Sequence, residues 1–223
     1  MTNQLTISDQ QWQQLVNRVK QQYHQNDSSR FLISFAGVPG AGKTTFAGQM
    51  AIELTKQVAP TMVLSQDGFH LYRSELQSMP DAEEAIRRRG APFTFNSKAF
   101  VKLVAQLKNK NITVKAPSFD HRLKDPVEND IVIDPIVAIV IIEGNYTSLK
   151  DEGWNDISSF VDDTWFISTP ESIVRSRIIK RHLDAGIAKT EQEAIERADG
   201  SDLQNARYIV ENSKLTNVLI LGS

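Results

Sequence analysis

The 223-residue sequence contains no cysteine, which excludes disulfides, thiolate metal sites and a cysteine nucleophile. It has almost no net charge. Its 25 Lys and Arg residues stand against 27 Asp and Glu, leaving −2, so neither a general nucleic-acid binder nor a polybasic membrane protein is expected. Long apolar runs are also missing. The longest, Ile136 to Ile142, is far shorter than the roughly 20 residues needed to cross a bilayer. The glutamine-rich N-terminus lacks a signal-peptide pattern. The absence of thiols suits a reducing compartment, and the cytoplasm is the expected location. No repeat, low-complexity tract or clear linker divides the chain.

What is present is ordinary for a globular domain: 40% hydrophobic and 23% charged residues,, in a length that fits one domain with a lid or a small insertion. Ser8 to Gln25 reads as a helix, with Ser8 and Gln11 spaced as a capping box and Trp12, Leu15, Val16 and Val19 on one face. Strands are expected at Phe31 to Ala36, Thr61 to Gln66, Ile112 to Ala116, Ile136 to Ile142, Thr164 to Ser168 and Asn217 to Leu221. Helices are expected at Lys43 to Lys56, Asp81 to Arg89 and Ser97 to Lys108, with two or three more between Pro170 and Glu211. Pro117 to Asp130 reads as a long loop. Strands alternating with helices predict an α/β fold with a doubly wound parallel sheet, whose ligands sit beyond the carboxyl ends of the strands. Residues 1–29 form an N-terminal helical extension in this reading, and 30–223 the main domain.

Gly37-Val38-Pro39-Gly40-Ala41-Gly42-Lys43-Thr44 matches the G-x-x-x-x-G-K-[ST] phosphate-binding loop, in its required place between a strand and a helix. A polyphosphate must lie against backbone N–H groups, and side chains would block the approach. Gly37, Gly40, Ala41 and Gly42 keep the loop open as an anion nest, and the helix beginning near Lys43 adds its positive dipole end. Lys43 is expected at the β- and γ-phosphates, Thr44 on Mg²⁺ and the Thr45 backbone on a phosphate. The cofactors implied are ATP and Mg²⁺.

Two carboxylates close strands. Asp67, in Asp67-Gly68-Phe69-His70, is open to two jobs: proton acceptor from an attacking hydroxyl, or ligand of Mg²⁺ through water. The dipeptide Asp67-Gly68 is equally common as a plain turn. Glu143 ends the uniformly apolar run before Gly144, as in a Walker B segment, although Asp is the usual residue there. It can serve the metal or a substrate group. His70, Arg89, Asp120, His121 and Tyr146 are candidates for contact with an acceptor substrate. Arg177 and Arg181, i and i+4 on one helix, are candidates for a mobile lid spanning about residues 175–200. There they would neutralise charge in a transition state and exclude water. Asp184-Ala185-Gly186 is a plausible hinge.

Taken together, the phosphate loop, Asp67-Gly68-Phe69-His70, Arg89-Gly90-Ala91-Pro92 with Thr94-Phe95, Pro117-Ser118-Phe119-Asp120, Ile142-Glu143-Gly144-Asn145-Tyr146 and Arg177 with Arg181-His182 resemble the phosphoribulokinase/uridine kinase family of P-loop kinases. The resemblance covers nearly the whole chain from about residue 30. It is similar to a branch related to pantothenate kinase and to sugar-kinase-like proteins, which Asp202-Leu203-Gln204-Asn205-Ala206 also fits. It implies transfer of the γ-phosphoryl group of ATP to a hydroxyl of a small molecule, with Asp67 as base, Glu143 on the metal or acceptor side, the two arginines in the lid, and Asn205 near the nucleotide base. A small-molecule acceptor is the expected partner, with no nucleic acid and no membrane, in a monomer or homodimer. The competing reading is an ATP-binding switch that hydrolyses ATP slowly. Against it stands Asp67, since a switch needs no acceptor-side base. A GTPase lacks support, because Asn109-Lys110-Asn111-Ile112 is without the Asp of the guanine signature.

Overall fold

A computed structural model describes residues 7–25 and 29–222. In chain order its elements are α1 (Asp9–His24), β1 (Phe31–Gly37), α2 (Lys43–Gln57), β2 (Thr61–Ser65), α3 (Arg73–Gln77), α4 (Ala82–Arg87), α5 (Ser97–Leu107), β3 (Val114–Asp120), β4 (Asp125–Ile133), β5 (Ile139–Gly144), α6 (Ile157–Phe160), β6 (Asp163–Ser168), α7 (Glu171–Asp184), α8 (Glu191–Arg197), α9 (Leu203–Asn212) and β7 (Val218–Leu221). Gln66–Phe69 and Pro92–Thr94 form short 3-10 turns, and Ala198–Asp202 is a kinked junction between α8 and α9.

Five strands form one sheet in the order β2-β5-β1-β6-β7, and every pairing is parallel. β1 and β5 are buried at every residue, which is why their sequences run as unbroken apolar stretches rather than alternating. Register aligns Glu143 with Phe35 on one side and with Ser65 on the other. The carboxyl ends of β1, β2 and β5 therefore finish level, and the segments that follow them share one edge.

α1 starts where its capping box predicts. The Ser8 hydroxyl accepts from the Gln11 backbone, and the Gln11 side chain accepts from Ser8 N. Val16 and Val19 enter the core, and Trp12 packs edge-on against Phe46 of α2 at 4.9 Å. The helix is also tied to the sheet through Arg18, which donates from Nε and Nη2 to the fully buried carboxylate of Asp163 at 2.7 and 3.0 Å. Trp165 Nε1 and Asn217 Nδ2 donate to the same carboxylate at 2.7 and 2.9 Å. Burial pushes the Asp163 pKa up, but the bonds from Arg18, Trp165 and Asn217 outweigh it and hold the group below its ordinary value,.

Three expectations need correction. The segment 117–130 is not a loop. Ser118 pairs with Val127 and Phe119 with Pro126, so most of it belongs to the antiparallel hairpin β3–β4. The strand expected from Ile112 begins at Val114 and pairs within this hairpin instead of joining the main sheet. The central strand starts three residues later than the apolar run suggests. Ile136 is 75% exposed in the approach to β5, because Ala138 and Ile139 must first reach the carbonyl of Pro60 to begin the sheet.

Candidate active site

The loop between β1 and α2 has the conformation its glycines predict. Gly40 and Gly42 take φ of +78° and +96°, a region that side chains with a Cβ avoid. Gly37 lies so close to β6 that a Cβ would sit 2.6 Å from Ile167 Cγ2. Lys43 Nζ donates to the carbonyls of Gly37 and Val38 at 2.9 and 3.0 Å and to Asn145 Oδ1 at 2.7 Å. Its ammonium is buried, and this desolvation pulls its pKa down to about 8, against the opposing charges of Glu143 and Asp67,. Thr44 and Thr45 are exposed at the head of α2.

Glu143 is 4% exposed at the end of β5, with Oε1 3.4 Å from the Thr44 hydroxyl. Burial raises its pKa. Lys43 and hydrogen bonds from Ser65 and Thr44 work against the rise, while nearby Asp67 adds to it. Asp67 sits in the turn after β2, where its backbone N–H donates to the Ser65 hydroxyl. Gly68 permits that turn: a Cβ there would lie 2.1 Å from the carbonyl oxygen of Pro117 in β3. The hairpin thus presses directly on the residue after Asp67. Gln66, 1% exposed, crosses to β5, where its Oε1 accepts from Tyr146 N at 2.9 Å. Gly144 leaves room for this crossing, since its Cβ would come within 2.2 Å of the same oxygen.

The structure brings Lys43, Thr44, Asp67 and Glu143 together, with Gly37, Gly40, Ala41 and Gly42 forming the loop around them. His70 lies between the rings of Phe95 and Phe119, at 4.0 and 4.8 Å. Its Nδ1 donates to the Asp67 carbonyl at 2.8 Å, and burial lowers its pKa despite the Asp67 charge. Arg89 ties the hairpin to the segment after the first 3-10 turn: Nη1 and Nη2 reach the Lys124 and Leu71 carbonyls and the Asp125 carboxylate, and the guanidinium lies over the Phe119 ring. Asp120 caps the hairpin turn. Its carboxylate accepts from Leu123 N and Arg122 N, and these bonds hold its pKa down. His121 is exposed beside Phe119. Tyr146 is buried, donates to the Gly90 carbonyl, and burial raises its pKa.

On the lid side, α7 packs over the loop, and Val174 and Ile178 close on Gly40. Arg177 Nη1 donates to the Gly40 carbonyl at 3.4 Å. Arg181 is close enough for its charge to act on Lys43, and its Nη2 stands 3.7 Å from Asp202. Asn205 is buried at the start of α9. Three residues of this site were not among the candidates: Asn145, which accepts from Lys43; Ser65, which touches both the Asp67 turn and Glu143; and Gln66, which links the two strand ends. A polar residue within two positions of a strand-ending carboxylate is the signal all three share.

A family model described as "Phosphoribulokinase / Uridine kinase family" matches residues 32–188. An ATP-dependent kinase-like protein of Aspergillus versicolor is 40% identical over 161 residues, 70% of this chain and 94% of that one. A Schizosaccharomyces pombe protein, provisionally named a uridine kinase, is 36% identical over 86% of this chain and 83% of its own length. Among solved structures, a protein of Silicibacter sp. TM1040 provisionally named a fructose transport system kinase superposes with a TM-score of 0.86 at 30% identity, covering 93% of this chain and 98% of that one. With the phosphate loop, the sheet order and the family model in agreement, the chain belongs to the phosphoribulokinase/uridine kinase family and is an ATP-dependent small-molecule phosphotransferase.

Proposed function

We propose that this protein transfers the γ-phosphoryl group of ATP to a hydroxyl group of a small metabolite, of nucleoside, pantothenate-like or sugar-like type, with Mg²⁺. The observation that carries the reading is the pair of carboxylates, Asp67 and Glu143, whose charges both act on the buried Lys43 ammonium. Phosphoryl transfer is mainly positioning and charge stabilisation, so one carboxylate on the acceptor side and one on the metal side complete the parts needed. Names among the relatives, uridine and fructose, both denote compounds rich in alcohol groups.

Each residue then has a role. The loop amides and Lys43 hold the β- and γ-phosphates. Asp67 orients the acceptor hydroxyl and takes its proton as the oxygen attacks phosphorus. Arg177 and Arg181 offset the negative charge spread over the transferring group and exclude water from it. The Thr44 hydroxyl and Glu143 carboxylate, 3.4 Å apart, are hard oxygen donors of the kind that suit Mg²⁺, an ion that fills its remaining positions with waters and phosphate oxygens. When bound, Mg²⁺ supplies positive charge to the phosphate oxygens. Arg89, His70, Asp120, His121 and Tyr146 lie around the hairpin and the 3-10 turns and shape the acceptor end; His70 is bonded to Asp67, Arg89 to Asp125, Asp120 to Leu123 and Tyr146 to Gly90.

The test is ADP formation from MgATP against nucleosides, pantothenate, sugars, glycerate and vitamin alcohols. A compound that stimulates ADP release and gains a phosphate supports the proposal and names the acceptor. Slow hydrolysis indifferent to every hydroxyl compound counts against it and favours the switch.

A further inference from the structure

We propose that Asp202 is a positioning residue: it holds Arg181 beside the phosphate loop and yields it to the terminal phosphate of the bound nucleotide. The inference rests on the lid role given to Arg181 above, and adds to it the device that controls that arginine.

Asp202 ends the kinked junction between α8 and α9, where Gly200 departs from helical angles with φ −81° and ψ −107°. The kink breaks the helical path and sets the direction from which Asp202 meets α7. The two oxygens of Asp202 are held differently. Oδ2 accepts from His182 Nε2 at 2.8 Å, and His182 is buried in α7. Oδ1 faces Arg181 Nη2 at 3.7 Å, too far for a hydrogen bond. One oxygen is anchored in the interior while the other makes a loose ion pair.

The Arg181 side chain is 52% exposed, so a change of partner disturbs little packing. It follows Arg177 by one turn of α7, and Arg177 already touches the Gly40 carbonyl of the loop. The Arg181 charge acts on Lys43, which puts the guanidinium on the phosphate side of the lid. A phosphate oxygen able to make charge-assisted bonds outcompetes a carboxylate at 3.7 Å,. Arg181 therefore transfers from Asp202 to the terminal phosphate, and loss of the Asp202 pair is subtracted from the affinity for a triphosphate but not from that for a diphosphate.

The test is calorimetric binding of MgADP and of a magnesium complex of a non-hydrolysable ATP analogue to the full chain, for wild type, Asp202→Asn, Arg181→Gln and the double variant. Asparagine keeps an oxygen for His182 while removing the competing charge. Asp202→Asn should tighten triphosphate binding about two- to fivefold, the usual worth of an exposed ion pair, and leave MgADP unchanged. Arg181→Gln should narrow the gap between triphosphate and diphosphate, and in that background Asp202→Asn should have no effect. The proposal is overturned if Asp202→Asn is silent, if it tightens both nucleotides equally, or if its effect survives in Arg181→Gln. Arg181→Gln alters a half-exposed side chain and folds regardless, so an unchanged triphosphate preference in that variant alone also overturns it. Failure of the wild type to bind either nucleotide would remove the ATP-binding reading itself, a result distinct from all of these.

Discussion

Replacing Lys43 by methionine should remove a pH dependence of stability that the wild-type chain possesses. Burial moves the Lys43 ammonium from an ordinary 10.5 to about 8. Between those values the unfolded chain holds a proton that the folded chain has released, so stability rises with pH across this window. Below it both states carry the charge and the folded state bears the whole cost of burying it; above it neither state does. At roughly 1.4 kcal/mol per unit, the wild type should gain about 2.5 kcal/mol between about pH 7 and pH 10 from this group alone. Methionine has a stem of similar length and no charge, so the variant gains nothing here. Groups on which Lys43 does not act, Tyr146 among them, cancel in the difference, while Glu143 loses the charge that opposes its rise. Urea unfolding in EDTA, followed by tryptophan fluorescence at several pH values, reads that difference directly. Wild type should gain on Lys43→Met steadily, mostly above about pH 8. A flat difference would mean that the ammonium is solvated, and would refute the closed arrangement of Lys43 between the loop carbonyls and Asn145.

Further perturbations probe other parts of the site and fold. Asp67→Asn should leave MgATP binding intact and cut acceptor-dependent ADP release by about 10²–10⁴, the usual worth of a general base; transfer that survives would make Asp67 structural. Gly68→Ala places a methyl group 2.1 Å from the Pro117 carbonyl oxygen, so the hairpin must move. A loss of about 1–3 kcal/mol in urea unfolding is expected, and an unchanged midpoint would mean that the hairpin does not rest on this turn. Arg18→Ala strips the bidentate partner from a buried carboxylate and should cost about 2–4 kcal/mol. Because the folded pKa of Asp163 is depressed, its contribution is present above the unfolded carboxylate range and lost as pH falls through the folded value. The variant should therefore show a weaker loss of stability on acidification, and an unaltered acid limb would exclude Asp163 as its source.

Where a residue pattern reports burial or a fixed backbone shape, the fold could be read directly. β1 and β5 are legible because both faces are covered, and the phosphate loop because its left-handed positions demand glycine at Gly40 and Gly42. The hairpin was not. β3 contains Pro117 and β4 contains Pro126, and β4 carries exposed Glu128, Asn129 and Asp130 in succession. Only the start of the hairpin alternates, with Val114 and Ala116 buried on either side of exposed Lys115; beyond that its strands bond to one another and no alternation of apolar residues marks them. The hairpin contacts of Arg89 and Asp120 are not legible for a related reason: a charge that holds a hairpin and a charge that holds a ligand look alike in one dimension. The lid contacts of Arg181 with Asp202 depend on a kink at Gly200 that no local spacing announces.

The carboxylate of Asp163 gathers donors from Arg18, Trp165 and Asn217, and those residues are made at very different times. In chain order the helix bearing Arg18 comes first, the strand bearing Asp163 follows, and the segment bearing Asn217 comes after both. A nascent chain that has not yet reached Asn217 carries a buried anion with an incomplete set of partners, together with an uncovered β6 edge where β7 should pair. This domain therefore closes only once β7 has been made, and a chain cut short of it is a poor native molecule and a good target for quality-control proteases.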